Sequence, residues 1–361
     1  MTREPEAYTT LGYFNLAKGL GMVLILLGHS ITPFYPRPDF SGDLFSGAGS
    51  VLGGGIMAMF FMISGFGFYS RSPKRCLRIQ TKTLLKPYLV TTGAILLTKL
   101  LLSLIKDRSF DENGGELVLT YLLGLNAEGG HDLGGIPIES ISIFWFILSL
   151  YGSWLLYNGF FRIKSNLWRT ICIIACVLSG YMLTLISRIW PYCLPMVLLS
   201  TGYLAAGFEI RQKKLLDRKL PVWFWGIILV ITISCAAFGG VNIVACHWRL
   251  GILDVAGSFS VGFLLMKAYH AFMRQGLQSP LTRLLEAVGL HSVWIVFLHG
   301  YEKVIIPWYR LRALFPSVPA LSAATCFLGR CAVIYVMFRL LSRINRLGRR
   351  KKTRSPIILD S

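Results

Sequence analysis

Phe14-Asn15-Leu16-Ala17-Lys18-Gly19-Leu20-Gly21-Met22-Val23-Leu24-Ile25-Leu26-Leu27-Gly28-His29-Ser30 is the stretch that decides the class of this molecule. As a helix rising about 1.5 Å per residue it crosses most of a hydrocarbon core about 30 Å thick, and only two ionisable side chains interrupt it. The eleven-residue offset between Lys18 and His29 returns them to one helix face within roughly 20°, about 16 Å apart along the axis. An ionisable group at the centre of a span costs about 2.5–3.5 kcal/mol, so it faces a cavity or a partner. Histidine, with an ordinary pKa of about 6.5, is suited to take the proton of an attacking hydroxyl. The structural alternative is a histidine bonded to a neighbouring helix and a lysine snorkelling to the cytosol.

The rest of the chain extends this membrane reading. Its 361 residues are 54% hydrophobic and 15% charged, with a mean hydropathy of +0.58. That is more apolar surface than a soluble core of this size buries. Apolar windows lie near residues 13–35, 47–69, 84–105, 142–160, 169–187, 190–208, 222–239, 250–270, 288–306 and 319–341. The expected fold is an all-α polytopic integral membrane bundle of about ten transmembrane helices. Residues 1–345 form the transmembrane domain and 346–361 a basic cytoplasmic tail. No small-residue cleavage site follows the first window, so it is expected to be retained as a span and not removed as a signal peptide.

A net charge of +20 would suit a nucleic-acid binder, yet the cations fall in blocks between apolar runs, which is membrane topology. With the N-terminus inside, the inner segments hold 26 lysines and arginines and the outer segments seven. The bias alternates loop by loop and places both termini in the cytoplasm. The eight cysteines lie mostly inside apolar runs without metal-ligand spacing, so they read as small hydrophobes and no metal site is expected. The longest outer loop, residues 106–141, carries Asp107, Asp111, Glu112, Glu116, Glu128, Asp132 and Glu139. It either covers a binding site or serves as an acidic connector. No repeat of fixed period is visible, which gives a repeat-built transporter no support.

Four further segments stand out. Phe60-Phe61-Met62-Ile63-Ser64-Gly65-Phe66 closes the second window, and a basic stretch follows with Arg71, Lys74, Arg75, Arg78, Lys82 and Lys86, ending in Pro87-Tyr88. Trp145-Phe146-Ile147-Leu148-Ser149-Leu150 lies in the fourth window, and Gly289-Leu290-His291-Ser292 leads to His299 in the ninth. Together with the Lys18 and His29 spacing, these segments resemble the membrane-bound acyltransferase 3 family in order and position over nearly the whole chain.

That resemblance implies transfer of an acyl group, usually acetyl, from cytoplasmic acyl-coenzyme A to a hydroxyl of a carbohydrate, a lipid-linked glycan or a related surface acceptor, in a bacterial inner membrane. It implies no permanently bound cofactor, with acyl-coenzyme A as the donor substrate. His29 becomes the expected catalytic histidine and Lys18 its basic partner, where many members have arginine. Ser64, Trp145, His299 and Glu302 become candidates for substrate contact, and Arg75, Arg78 and Lys82 for the phosphates of coenzyme A. The same cations are also what positive-inside topology demands. One branch of the family has a W-S-L-x-x-E segment in its fourth helix. This chain has no glutamate there and looks nearer to the fucose O-acetylase-like branch. Some members carry an extra extracytoplasmic hydrolase-like domain after the bundle; this sequence stops soon after the tenth window, so a stand-alone form is expected, with transfer completed in the bundle or by a separate partner.

His299, Glu302 and Lys303 share or adjoin one helix face at offsets of three and four. This group either orients the acceptor or the tautomer of His29, or forms an interfacial pair beside Trp308 and Tyr309. The glycines at 47, 49, 53, 54 and 55 are expected to let the second span pack closely. Asp254 is a buried-acid candidate, His131 and His247 are expected on outer loops, and His270 at a cytoplasmic helix end; none is assigned a role. No serine or cysteine has an identifiable triad, so the residues do not point to a covalent acyl-enzyme. The rival reading is a transporter or a flippase of a lipid-linked glycan or small metabolite, using the same intramembrane charges as a pathway.

Overall fold

A computed structural model describes residues 11–35, 44–105, 114–126, 131–133, 136–138, 140–187, 189–243, 245–274 and 279–354. Eight helices among them are long and apolar enough to cross a membrane: Gly12–Ile31, Ala48–Phe66, Pro73–Ile105, Ser142–Phe160, Asn166–Ile186, Pro191–Gln212, Ile252–Met273 and Pro319–Arg343. A bent pair, Pro280–Leu290 with Ser292–Ile305, is long and apolar enough only when its two halves are joined, and Val222–Phe238 is a shorter apolar helix. Every apolar window therefore falls on a helix, and the chain is an all-α polytopic membrane bundle. The one departure in kind is at residues 288–306, expected as a continuous span and found broken by a 75° bend.

In chain order the helices are α1 (Asn15–Ile31), α2 (Leu44–Phe66), α3 (Pro73–Gln80), α4 (Lys86–Ile105), α5 (Gly114–Leu123), α6 (Trp145–Phe160), α7 (Asn166–Ile186), α8 (Leu194–Gln212), α9 (Val222–Phe238), α10 (Ile252–Met273), α11 (Pro280–Leu290), α12 (Ser292–Ile305) and α13 (Pro319–Arg354). A π-helical turn, Thr81–Leu85, joins α3 to α4. Helix α13 runs unbroken past residue 345, where the basic tail begins. Starts are set by local chemistry. Proline occupies the first turn of α3, α8 and α11, where its missing N–H costs nothing. Ahead of α11, Ser279 and Thr282 form a reciprocal capping box.

Helix α2 is central, packed on α8, α9 and α10. Its small residues allow this: a Cβ on Gly65 would lie 1.9 Å from the Leu204 carbonyl oxygen, and one on Gly55 2.2 Å from Val261. Gly54 also packs tightly, whereas Gly49 and Gly53 face open space. Outer helices such as α7 and α9 keep large apolar side chains exposed, among them Ile174, Leu178, Ile227 and Ile233, as a bilayer solvent permits.

The long segment after α4 carries more structure than a plain connector. Helix α5 buries Leu117 and Tyr121, the Tyr88 hydroxyl donates to the Tyr121 carbonyl at 2.6 Å, and two short strands pair antiparallel with His131 opposite Ile138. Asp107, Asp111, Glu112, Glu128 and Glu139 lie outside the described residues. A second strand pair, Val241–Asn242 with His247–Trp248, projects from between α9 and α10 and packs on α2.

Candidate functional site

Helix α1 presents Lys18 and His29 to one cavity of about 480 Å³, within the usual range for small-molecule sites. The shared face expected from an eleven-residue offset is thus real, because α1 is unbroken between them. Ser64 of α2, Trp145 of α6, and Ser292 and His299 of α12 line the same cavity. So do Val241, Asn242 and Ile243 from the strand pair. The remaining wall is mostly apolar, with Met22, Ile56, Phe60, Phe146 and Val296, and adds Thr32 and Ser50.

Two imidazoles face each other here. The His29 and His299 ring centres are 5.3 Å apart at an angle of 44°. His299 is fully buried, with Nδ1 2.6 Å from Oε1 of the fully buried Glu302. Arg330 NH1 donates to the same oxygen at 2.7 Å, and the Trp308 indole N–H donates to Glu302 Oε2. The Arg330 guanidinium also lies over the Trp308 ring, 5.4 Å from its centre. Glu302 is therefore a buried anchor and not an interfacial charge. His299 Nε2 is buried without a hydrogen-bond partner among the described residues.

The sequence pattern of a family described as an acyltransferase domain matches residues 11–339. The chain belongs to the acyltransferase 3 family. No curated protein and no solved structure matches it. Membership makes it a multi-pass membrane acyltransferase and favours that activity over a transporter or flippase.

In this acyltransferase the remaining candidates separate by position. Ser64 accepts the Trp154 indole N–H at 2.8 Å, leaving its own hydroxyl proton for the cavity. Arg71 stacks 5.4 Å over Trp154, and its backbone N–H and carbonyl are both bonded by Asn158. Arg75, Arg78 and Lys82 do not line the cavity. They are exposed along α3 and the π-turn, on the side away from buried Cys76, Gln80 and Leu84.

Asp254 is fully buried, and its carboxylate accepts backbone N–H groups of Leu250 at 2.8 Å and Gly240 at 3.4 Å. It thereby staples the strand pair whose Val241–Asn242 edge walls the cavity. His270 is buried near the end of α10, with its two nitrogens 2.7 Å from the Tyr13 hydroxyl and 2.9 Å from Asp217. His247 is half-buried in the second strand pair, and the side chain of His131 lies outside the described residues.

Sequence reasoning missed Arg330, and it named Trp308 only as an interfacial neighbour of Glu302 and not as its hydrogen-bond donor. A usable signal existed for Arg330: an arginine within the last apolar window needs an intramembrane acid, and Glu302 is one of few on offer. No group of three or more potential metal ligands occurs among the described residues.

Proposed function

We propose that this acyltransferase moves an acyl group, acetyl by family habit, from acyl-coenzyme A to a hydroxyl of a cell-surface glycan or lipid-linked glycan acceptor. We place it in a bacterial inner membrane with both termini cytoplasmic, in the fucose O-acetylase-like branch. The observation that carries this reading is the single cavity shared by Lys18, His29 and His299.

With the N-terminus inside, Lys18 lies toward the cytoplasm and His29 toward the outer face. Their separation of about 16 Å divides the labour. Lys18 is too far from His29 to stabilise an oxyanion forming there; it suits the anionic donor or its pantetheine arm instead. At His29 the acceptor hydroxyl oxygen attacks the thioester carbonyl carbon, and His29 takes the hydroxyl proton. A new C–O bond forms, the C–S bond breaks, and the thiolate leaves and is reprotonated from the imidazolium. Trp145, buried at the cavity wall, is the candidate donor to the developing oxyanion. Arg75, Arg78 and Lys82 offer an exposed cationic strip for the coenzyme A phosphates.

The test is purified protein in detergent with radiolabelled acetyl-coenzyme A and candidate hydroxyl acceptors. Wild type is expected to transfer label without a sealed membrane, and His29→Ala to lose transfer while remaining monodisperse. Label transfer undiminished in His29→Ala, or absent from wild type with every acceptor, rejects the proposal.

A further inference from the structure

Glu302 is a carboxylate removed from water, and a buried charge persists only when paired and hydrogen-bonded. Its pairing is supplied by Arg330, itself 2% exposed, on a different helix. Arginine stays protonated in proteins, so Arg330 holds Glu302 as an acceptor-only carboxylate. The neighbouring His299 Nδ1, 2.6 Å from the same oxygen, must then carry the ring proton, and the lone pair is left on Nε2. That nitrogen is buried, has no partner among the described residues, and belongs to a cavity-lining ring beside His29.

His29 makes no hydrogen bond among the described residues. When one of its nitrogens takes the acceptor's proton, the other carries an N–H, and the unpartnered Nε2 of the adjoining His299 ring is an acceptor beside it. We propose that Arg330 is a positioning residue for acyl transfer: through Glu302 it holds His299 in the tautomer whose Nε2 receives the His29 N–H. The hydrogen bonds then run in one direction, from the acceptor hydroxyl to His29, to His299, to Glu302. The central link is open in this structure and closes when substrate brings the rings together. This inference rests on the acyl-transfer reading.

Without Arg330, Glu302 takes up a proton to avoid an uncompensated buried charge. A protonated carboxyl donates to Nδ1 and moves the His299 proton to Nε2, where it opposes the His29 N–H. Arg330→Met is therefore expected to abolish the relay while filling similar space. Arg330→Lys keeps it, because only one guanidinium nitrogen reaches Glu302.

The experiment is solid-state nitrogen NMR of protein labelled with ¹⁵N-histidine in lipid bilayers, with the His299 signals assigned by their loss in His299→Gln. Wild type and Arg330→Lys should show protonated Nδ1 and bare Nε2 at His299; Arg330→Met should show the reverse. In turnover, Arg330→Met should lose about 10²-fold in kcat with the donor KM unchanged, and Arg330→Lys should retain most of the rate. A bare Nδ1 in the wild type overturns the proposal even if Arg330→Met does not accumulate. So does an Arg330→Met protein with wild-type tautomer and kcat, the outcome if Arg330 merely pins α13 to α12. A wild type that transfers no acyl group rejects the enzymatic reading instead, and the spectra still decide the polarity of the histidine pair.

Discussion

Replacing Gly19 by alanine tests how the site is held. The added methyl would lie 1.9 Å from the Leu285 carbonyl oxygen, 2.7 Å from its carbon and 3.2 Å from Gly289 N. All three are backbone atoms of α11, so no side-chain rotation relieves the clash, and α11 must retreat from α1 by roughly 1 Å. The opposing position is just as tight, since a Cβ on Gly289 would sit 1.7 Å from the Asn15 carbonyl oxygen. Overpacking costs about 1–3 kcal/mol, and a clash with backbone belongs at the upper end of that range, so the roughly 1 kcal/mol returned by better helix propensity offsets only part of it. A functional loss comes on top of it. Beyond the bend at His291, α11 continues into α12, which carries Ser292 and His299 to the cavity. A misplacement of about 1 Å can cost roughly 10²-fold in rate. The assay is acetyl transfer measured beside thermal unfolding in the same detergent, with Gly93→Ala as control. A Cβ on Gly93 meets nothing within 4 Å, so that variant should keep full activity and equal or higher stability. The reasoning is refuted if Gly19→Ala turns over at the wild-type rate.

Gly53 lines the cavity and a Cβ there meets nothing within 4 Å, so Gly53→Leu should narrow the cavity with little strain, leaving thermal stability near wild type and lowering transfer. Wild-type turnover in that variant would place catalysis elsewhere. Neutralising the exposed strip with Arg75→Gln, Arg78→Gln and Lys82→Gln should raise the donor KM, most strongly at low salt, with little change in kcat. A KM that does not move assigns those cations to topology alone.

Much of the fold was legible because a bilayer constrains each crossing separately. A span needs a run of about 20 apolar residues and must satisfy its own backbone, so windows read one at a time found all eight long apolar helices among the described residues, though not α11. The helix period likewise placed Lys18 and His29 on one face before any neighbour was known, and one cavity receives both. What sequence could not supply was the choice of neighbour. Glu302 and Arg330 are 28 positions apart on separate helices, and Trp308 closes the same carboxylate from the intervening segment. The bend between α11 and α12 lies beside the close approach of α11 to α1, where two glycines admit a foreign backbone. The exposure of Arg75, Arg78 and Lys82 away from the cavity, and the Asp254 staple behind the Val241–Asn242 edge, depend equally on which helices meet. Burial in hydrocarbon is a local demand written along each helix, whereas pairing of buried charges and close backbone contact are settled only when several helices fit at once.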